Sequence, residues 1–63
     1  MHVVDDKEAG EFLKALDECD FVEVSEWEAK FIADNLGRTS FTERQMESIC
    51  KMMAKYSARG VKW

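Results

Sequence analysis

Two short phrases of the same form, VSEWEA and FTERQM, constrain the fold of this chain most, because each is typical of a helix start. In the first, the side chain of Ser25 can cap the helix, and the side chain of Glu28, three residues later, can accept a hydrogen bond from the backbone of the capping residue. In the second, Thr42 and Gln45 repeat this arrangement. Such a capping box satisfies backbone N–H groups that the first helical turn leaves without partners. We therefore predict two helices with well-defined starts.

Glycines mark the ends of these two helices. Gly37 follows a leucine, and Gly60 follows a turn rich in lysine and arginine, as is typical of left-handed C-terminal caps. No proline interrupts the chain. We predict helices at about residues 26–36 and 43–58. An earlier helix is predicted over residues 6–19, where apolar residues recur at helical spacing. These apolar residues are Ala9, Phe12, Leu13, Leu16 and Cys19.

The length of 63 residues leaves room for a single domain. With 46% hydrophobic residues, the chain is too apolar to be disordered in spite of its 35% charged residues. We therefore predict an all-α fold, a compact three-helix domain that spans residues 1–63. A very short extended pairing of residues 2–4 with the connector 21–24 is the less favoured addition. A core this small often needs a partner, so formation of a homo-oligomer stays open.

The third helix is predicted to have an apolar face and an opposite basic face. The apolar face holds Met46, Ile49, Cys50, Met53 and Tyr56. The basic face holds Arg44, Lys51, Lys55 and Arg59. Residues 1–36 carry a net charge of −8 and residues 37–63 a net charge of +4. The favoured interpretation is that the first helix and its flanks neutralise the basic face within the molecule. The alternative is that this face binds an acidic protein surface or a phosphate backbone.

The second helix has two apolar stripes separated by Glu28 and Asn35. One stripe holds Trp27 and Phe31, and the other holds Ala29, Ile32 and Leu36. The favoured interpretation is that both stripes are buried, because so small a domain needs its aromatic area in the core. The alternative is that Trp27 and Phe31 are offered to a partner. For Trp63 two interpretations stay open, a ring folded back over the core or an exposed anchor.

The sequence offers little catalytic chemistry. The single histidine, His2, lies in a segment that is expected to fray, so no Cys/His or Ser/His pair can be proposed. Cys19 and Cys50 are 31 positions apart and are interpreted as two buried free thiols, with a single bridge as the alternative. We find no zinc-ligand spacing, glycine-rich phosphate loop, EF-hand loop, transmembrane run or signal peptide. We expect no enzymatic activity, no metal, no cofactor and no membrane insertion, and a cytoplasmic location.

The segment WEAKFIADNL, followed by SFTERQMESICKMMAKY, resembles a short helical module in small open reading frames of bacteriophages. The shared pattern is W-E-x-x-F-I, a short turn, and an F/L-S/T-x-R/K-Q start to an amphipathic helix, and it covers residues 25–56. This resemblance implies an accessory protein that binds and modulates nucleic-acid machinery or a defence complex. It implies no particular functional residue and does not account for the acidic first helix.

We therefore expect a non-enzymatic protein that binds another protein. The expected contacts are the apolar residues Trp27, Phe31 and Trp63, with a charged rim of Arg44, Lys51, Lys55 and Arg59. The alternative is a nucleic-acid-binding protein that uses the basic face of the third helix. A helix-turn-helix arrangement is less favoured, because the connection before the third helix is long and because Glu43 and Glu47 would face phosphates.

Overall fold

Both predicted capping boxes are present in the structure, a computed structural model that describes residues 4–63. The backbone N–H of Glu28 donates to the Ser25 hydroxyl at 3.1 Å, and the N–H of Ser25 donates to the Glu28 carboxylate at 2.8 Å. Thr42 and Gln45 exchange the equivalent bonds at 3.1 and 2.9 Å. These caps place the starts of the second and third helices where the sequence predicts them.

The structure contains three helices over the described residues, α1 (Asp6–Glu18), α2 (Glu26–Asn35) and α3 (Glu43–Ser57). The predicted all-α three-helix fold is confirmed, and each helix ends one residue earlier than predicted. Gly37 and Gly60 have φ angles of 85° and 96°, as expected for left-handed residues after helix ends. The connector 21–24 forms no strand. The other segment of the extended alternative includes His2 and residue 3, which lie outside the described residues.

The first helix is the central element of the fold, because it packs against both α2 and α3. Its buried residues Ala9, Phe12, Leu13 and Leu16 are the ones that the spacing predicts. The largest fully buried side chains are Tyr56, Phe12, Leu13 and Ile49. Gly10 lies close to the turn after α2, since a Cβ there would be 3.6 Å from the Arg38 carbonyl oxygen.

The buried face of α3 is rotated relative to the predicted one. Met52 is buried, whereas Cys50 is exposed. The core-facing line of α3 is centred between Met52 and Met53, so Cys50 falls beyond its edge. Cys19 and Cys50 are free thiols, as predicted. The expected burial of both is wrong, because Cys19 is half-buried and Cys50 is exposed.

The second helix buries Ile32 from one of its two apolar stripes, together with the polar residues that lie between the stripes. Its buried residues are Glu28, Ile32 and Asn35. The expected burial of both stripes is therefore wrong, because Trp27 and Leu36 are 60% and 42% exposed. Glu28 can occupy the core side because the structure supplies it with hydrogen-bond partners, as described below.

Candidate functional site

A shallow groove of about 340 Å³ runs between the start of α2 and the middle of α3. We call it the α2–α3 groove. It is lined by Ser25, Trp27, Glu28, Ser48, Lys51, Met52 and Lys55. Three residues of the sequence-predicted site, Trp27, Lys51 and Lys55, therefore come together here although they lie on different helices.

The carboxylate of Glu28 connects the two walls of the groove. Its Oε1 accepts from the Tyr56 hydroxyl at 2.7 Å and from the Ser25 backbone N–H at 2.8 Å. Its Oε2 lies 3.3 Å from the Lys55 ammonium nitrogen, which forms an ion pair with it. The first turn of α2 is thereby tied to the last two turns of α3.

These contacts keep Glu28 ionised. Burial alone would raise the pKa of Glu28, but the hydrogen bonds from the Ser25 backbone, Tyr56 and Lys55 outweigh it and lower the pKa from 4.5 to about 2. The hydrogen bond to Glu28 raises the pKa of Lys55. Burial, together with the same carboxylate, raises the pKa of the Tyr56 hydroxyl. The cluster is therefore a carboxylate, an ammonium and a neutral phenol, and it has no group poised to exchange a proton near neutral pH.

Trp27 forms the aromatic side of the groove. Its ring stacks on Phe31 with centroids 5.3 Å apart and an interplanar angle of 25°. Phe31 is half-buried and packs against the core, whereas Trp27 remains 60% exposed. Trp27 is thus a large exposed ring whose orientation is held by a partner on the next turn of its own helix.

The basic side chains of α3 have different surroundings. Lys55 is paired with Glu28 of α2, so the counter-charge comes from α2 and not from α1 as expected. Arg59 lies with its guanidinium carbon 5.6 Å from the Tyr56 ring centroid, and the Lys55 nitrogen lies 5.0 Å from the same centroid. Arg44 and Lys51 are exposed, and neither has an ion pair or hydrogen bond from its side chain among residues 4–63.

Trp63 lies away from the α2–α3 groove, against α1. Its ring meets Phe12 edge-on with centroids 4.8 Å apart, and its Nε1 donates to the Glu8 carboxylate at 3.2 Å. Of its two open interpretations, the folded-back ring is the one observed, with 39% of the residue exposed. The structure therefore does not group Trp63 with Trp27 and Phe31.

Two features of the structure escaped the sequence reasoning. The first is the Glu28–Tyr56 contact, whose signal was an acidic residue in the middle of an apolar arc. The second is Phe21, which is 62% exposed in the connector before α2. The acidic residues around Phe21 could have indicated this, since a core segment seldom alternates with so many charges.

No three His, Cys, Asp or Glu side chains within residues 4–63 are arranged so that they could hold a metal ion. In the same part of the chain, none of the three helices has the length and apolar character needed to cross a bilayer. Comparison of the chain with family models, with curated proteins and with solved structures finds no match.

Proposed function

We propose that this chain is a non-enzymatic binding protein whose α2–α3 groove receives a segment of another protein. The observation that carries the proposal is the state of Trp27, which is 60% exposed and yet held by its stack on Phe31. An exposed tryptophan with a fixed orientation gives a large apolar contact at a low cost in conformational entropy. Tryptophan is also one of the residues most enriched among binding hot spots.

The charges around the groove favour a protein partner over nucleic acid. Of the four basic residues expected to form the rim, Lys55 already has a counter-charge in Glu28. Glu43 and Glu47 flank Arg44 on α3, and the whole chain has a net charge of −4. Tight binding to nucleic acid draws on many phosphate contacts, and this surface offers few uncompensated cations.

The resemblance of residues 25–56 to a module of small phage reading frames supports a more specific proposal. In this proposal, the chain is a phage-type accessory protein that modulates nucleic-acid machinery or a defence complex. The residues of that resemblance include Trp27 and Phe31, which form the exposed aromatic stack.

A pull-down from a lysate of the organism in which the chain acts tests the proposal. Tagged wild-type protein is compared with Trp27→Ala and Lys51→Glu, with and without nuclease. Lys14→Glu is the matched control, because it makes the same charge change at an exposed lysine of α1. Circular dichroism establishes that each variant keeps its helix content.

The proposal expects a protein that survives nuclease treatment, is lost with Trp27→Ala and Lys51→Glu, and is retained with Lys14→Glu. Capture that is insensitive to both groove variants would place the binding surface elsewhere. Recovery of nucleic acid alone, with binding that falls steeply with salt, would favour the alternative function of nucleic-acid binding through the basic face of α3.

A further inference from the structure

The connector before α2 has the chemistry that complements the α2–α3 groove. Phe21 is the most exposed large apolar residue among those described, at 62%. Exposed acidic residues surround it in the sequence, namely Asp17, Glu18, Asp20 and Glu23. We call residues 17–23 the acidic Phe21 segment. It presents one aromatic anchor within a cluster of negative charge.

The α2–α3 groove presents an exposed aromatic ring and one uncompensated positive charge, with a second such charge farther along α3. Trp27 offers an exposed ring, and Lys51 offers a positive charge with no partner among the described residues. Arg44, two turns before Lys51 on the same line of α3, is likewise without a partner.

We infer that the α2–α3 groove also binds the acidic Phe21 segment of a second copy of this chain, which competes there with a segment of another protein. Phe21 of one copy packs on Trp27 of the other, and the acidic residues beside Phe21 face Lys51 and Arg44. The inference rests on the proposed function, because it names a second occupant of the same groove, and association of the purified chain tests it without any other protein.

The acidic Phe21 segment lies close enough to the groove of its own chain for two copies to exchange the same contact. Phe21 and Trp27 are six residues apart, so they are separated by at most about 20 Å. The connector also reaches the polar cluster below the groove, since the Tyr56 hydroxyl lies 3.5 Å from the Glu23 carbonyl oxygen. A two-fold dimer can therefore place each Phe21 segment in the groove of its partner, with both contacts of the same kind.

Within one chain, the acidic Phe21 segment does not occupy the α2–α3 groove. The ring of Phe21 lies near Gly60, whose added Cβ would be 4.0 Å from it, and it lines a depression at the end of α3. Both Phe21 and Trp27 thus stay largely exposed in the monomer. The net charge of −4 opposes association only at long range, because physiological salt screens exposed charges beyond about 8 Å.

Complementary charge reversal tests the inference with purified protein. The first variant carries Asp20→Lys and Glu23→Lys, and the second carries Arg44→Glu and Lys51→Glu. Each variant alone brings like charges together in both contacts, whereas an equal mixture restores opposite charges in both. The control carries Lys7→Glu and Lys14→Glu, which gives the same change in net charge as the second variant at exposed lysines of α1.

Sedimentation velocity over a range of concentrations measures the association. We expect the wild-type chain to form a dimer. Each reversal variant alone should associate at least about tenfold more weakly than wild type, and the equal mixture should recover the wild-type affinity. Phe21→Ala should weaken the dimer by a similar factor, while the control variant should associate like wild type. Thermal melting followed by circular dichroism verifies that every variant is folded.

Two results would overturn the inference. One is a wild-type chain that stays monomeric at every concentration, and the other is a dimer that is indifferent to Phe21→Ala and to the charge reversals. Neither result excludes binding of another protein in the groove, because the pull-down measures that binding separately. Identifying the captured protein as this chain or a different one keeps the failure of one proposal distinct from the failure of the other.

Discussion

The hydroxyl of Tyr56 donates to the carboxylate of Glu28 at 2.7 Å, and this bond joins the last turns of α3 to the first turn of α2. Tyr56 is fully buried and Glu28 is 7% exposed. A hydrogen bond between a neutral donor and a buried carboxylate is among the stronger ones in proteins. The bond therefore contributes to stability as well as to the shape of the groove.

Tyr56→Phe should lower the free energy of unfolding by about 2 kcal/mol, because the buried carboxylate loses its shortest partner. Urea unfolding followed by circular dichroism measures the change. Ser57→Ala, at an exposed site on the same helix, is the control and should change stability by less than about 0.5 kcal/mol. Equal stabilities for Tyr56→Phe and wild type would show that the bond contributes nothing.

The low pKa of Glu28 makes stability depend on pH. Its folded-state pKa of about 2 lies below the ordinary value of 4.5, so the unfolded chain binds this proton more readily. The stabilisation is complete above about pH 4.5 and is lost as the pH falls towards 2, by at most about 3 kcal/mol. Unfolding in urea at a series of acidic pH values should reveal this loss.

Glu28→Gln isolates that contribution, because glutamine keeps a capping oxygen but does not titrate. The difference in stability between wild type and Glu28→Gln should shrink as the pH falls from 4.5 towards 2. A difference that stays constant over this interval would contradict the assignment of the low pKa to Glu28.

The two tryptophans should respond differently to truncation. Trp63→Ala uncovers the ring of Phe12 and removes the bond to Glu8, so it should cost about 1–2 kcal/mol. Trp27→Ala removes a more exposed ring and should cost less than about 1 kcal/mol. Thermal melting compares them, and a larger loss for Trp27→Ala would show that the groove tryptophan is a core residue after all.

Two glycine-to-alanine substitutions should change the free energy of unfolding in opposite directions. Gly10→Ala should stabilise the protein by about 0.5–1 kcal/mol, because alanine favours a helix interior and its Cβ would lie at an ordinary 3.6 Å from the Arg38 carbonyl oxygen. Gly37→Ala should destabilise by about 1 kcal/mol, because a φ of 85° is costly for any residue with a Cβ. The denaturant midpoints of both variants test this prediction. Midpoints that shift in the same direction for both variants would contradict it.

The helices could be predicted from the sequence because their signals are local. Ser25 and Thr42 as caps and the left-handed glycines each depend on a few neighbouring residues. The core face of α1 was also predictable, since Ala9, Phe12, Leu13 and Leu16 form one clean stripe. For such elements, periodicity and capping chemistry suffice.

The rotation of α2 could not be predicted, because it depends on contacts between distant parts of the chain. Periodicity favoured burial of Trp27 and of Leu36, yet the helix turns Glu28 inwards. That choice is favourable because Tyr56 and Lys55, 28 and 27 residues later, add hydrogen bonds to the one that the Ser25 backbone N–H donates locally. The exposure of Trp27, and with it the groove, follows from this long-range compensation.

The unlike settings of Trp27 and Trp63 give the protein two built-in fluorescent reporters. The indole of Trp27 is mostly in contact with water, whereas that of Trp63 lies edge-on to a buried phenylalanine and donates to a carboxylate. Their emission spectra should therefore differ, with the more solvated ring emitting at longer wavelength. A chain with Trp63→Phe would report optically on the groove alone, and one with Trp27→Phe would report on the packing of Trp63 against α1.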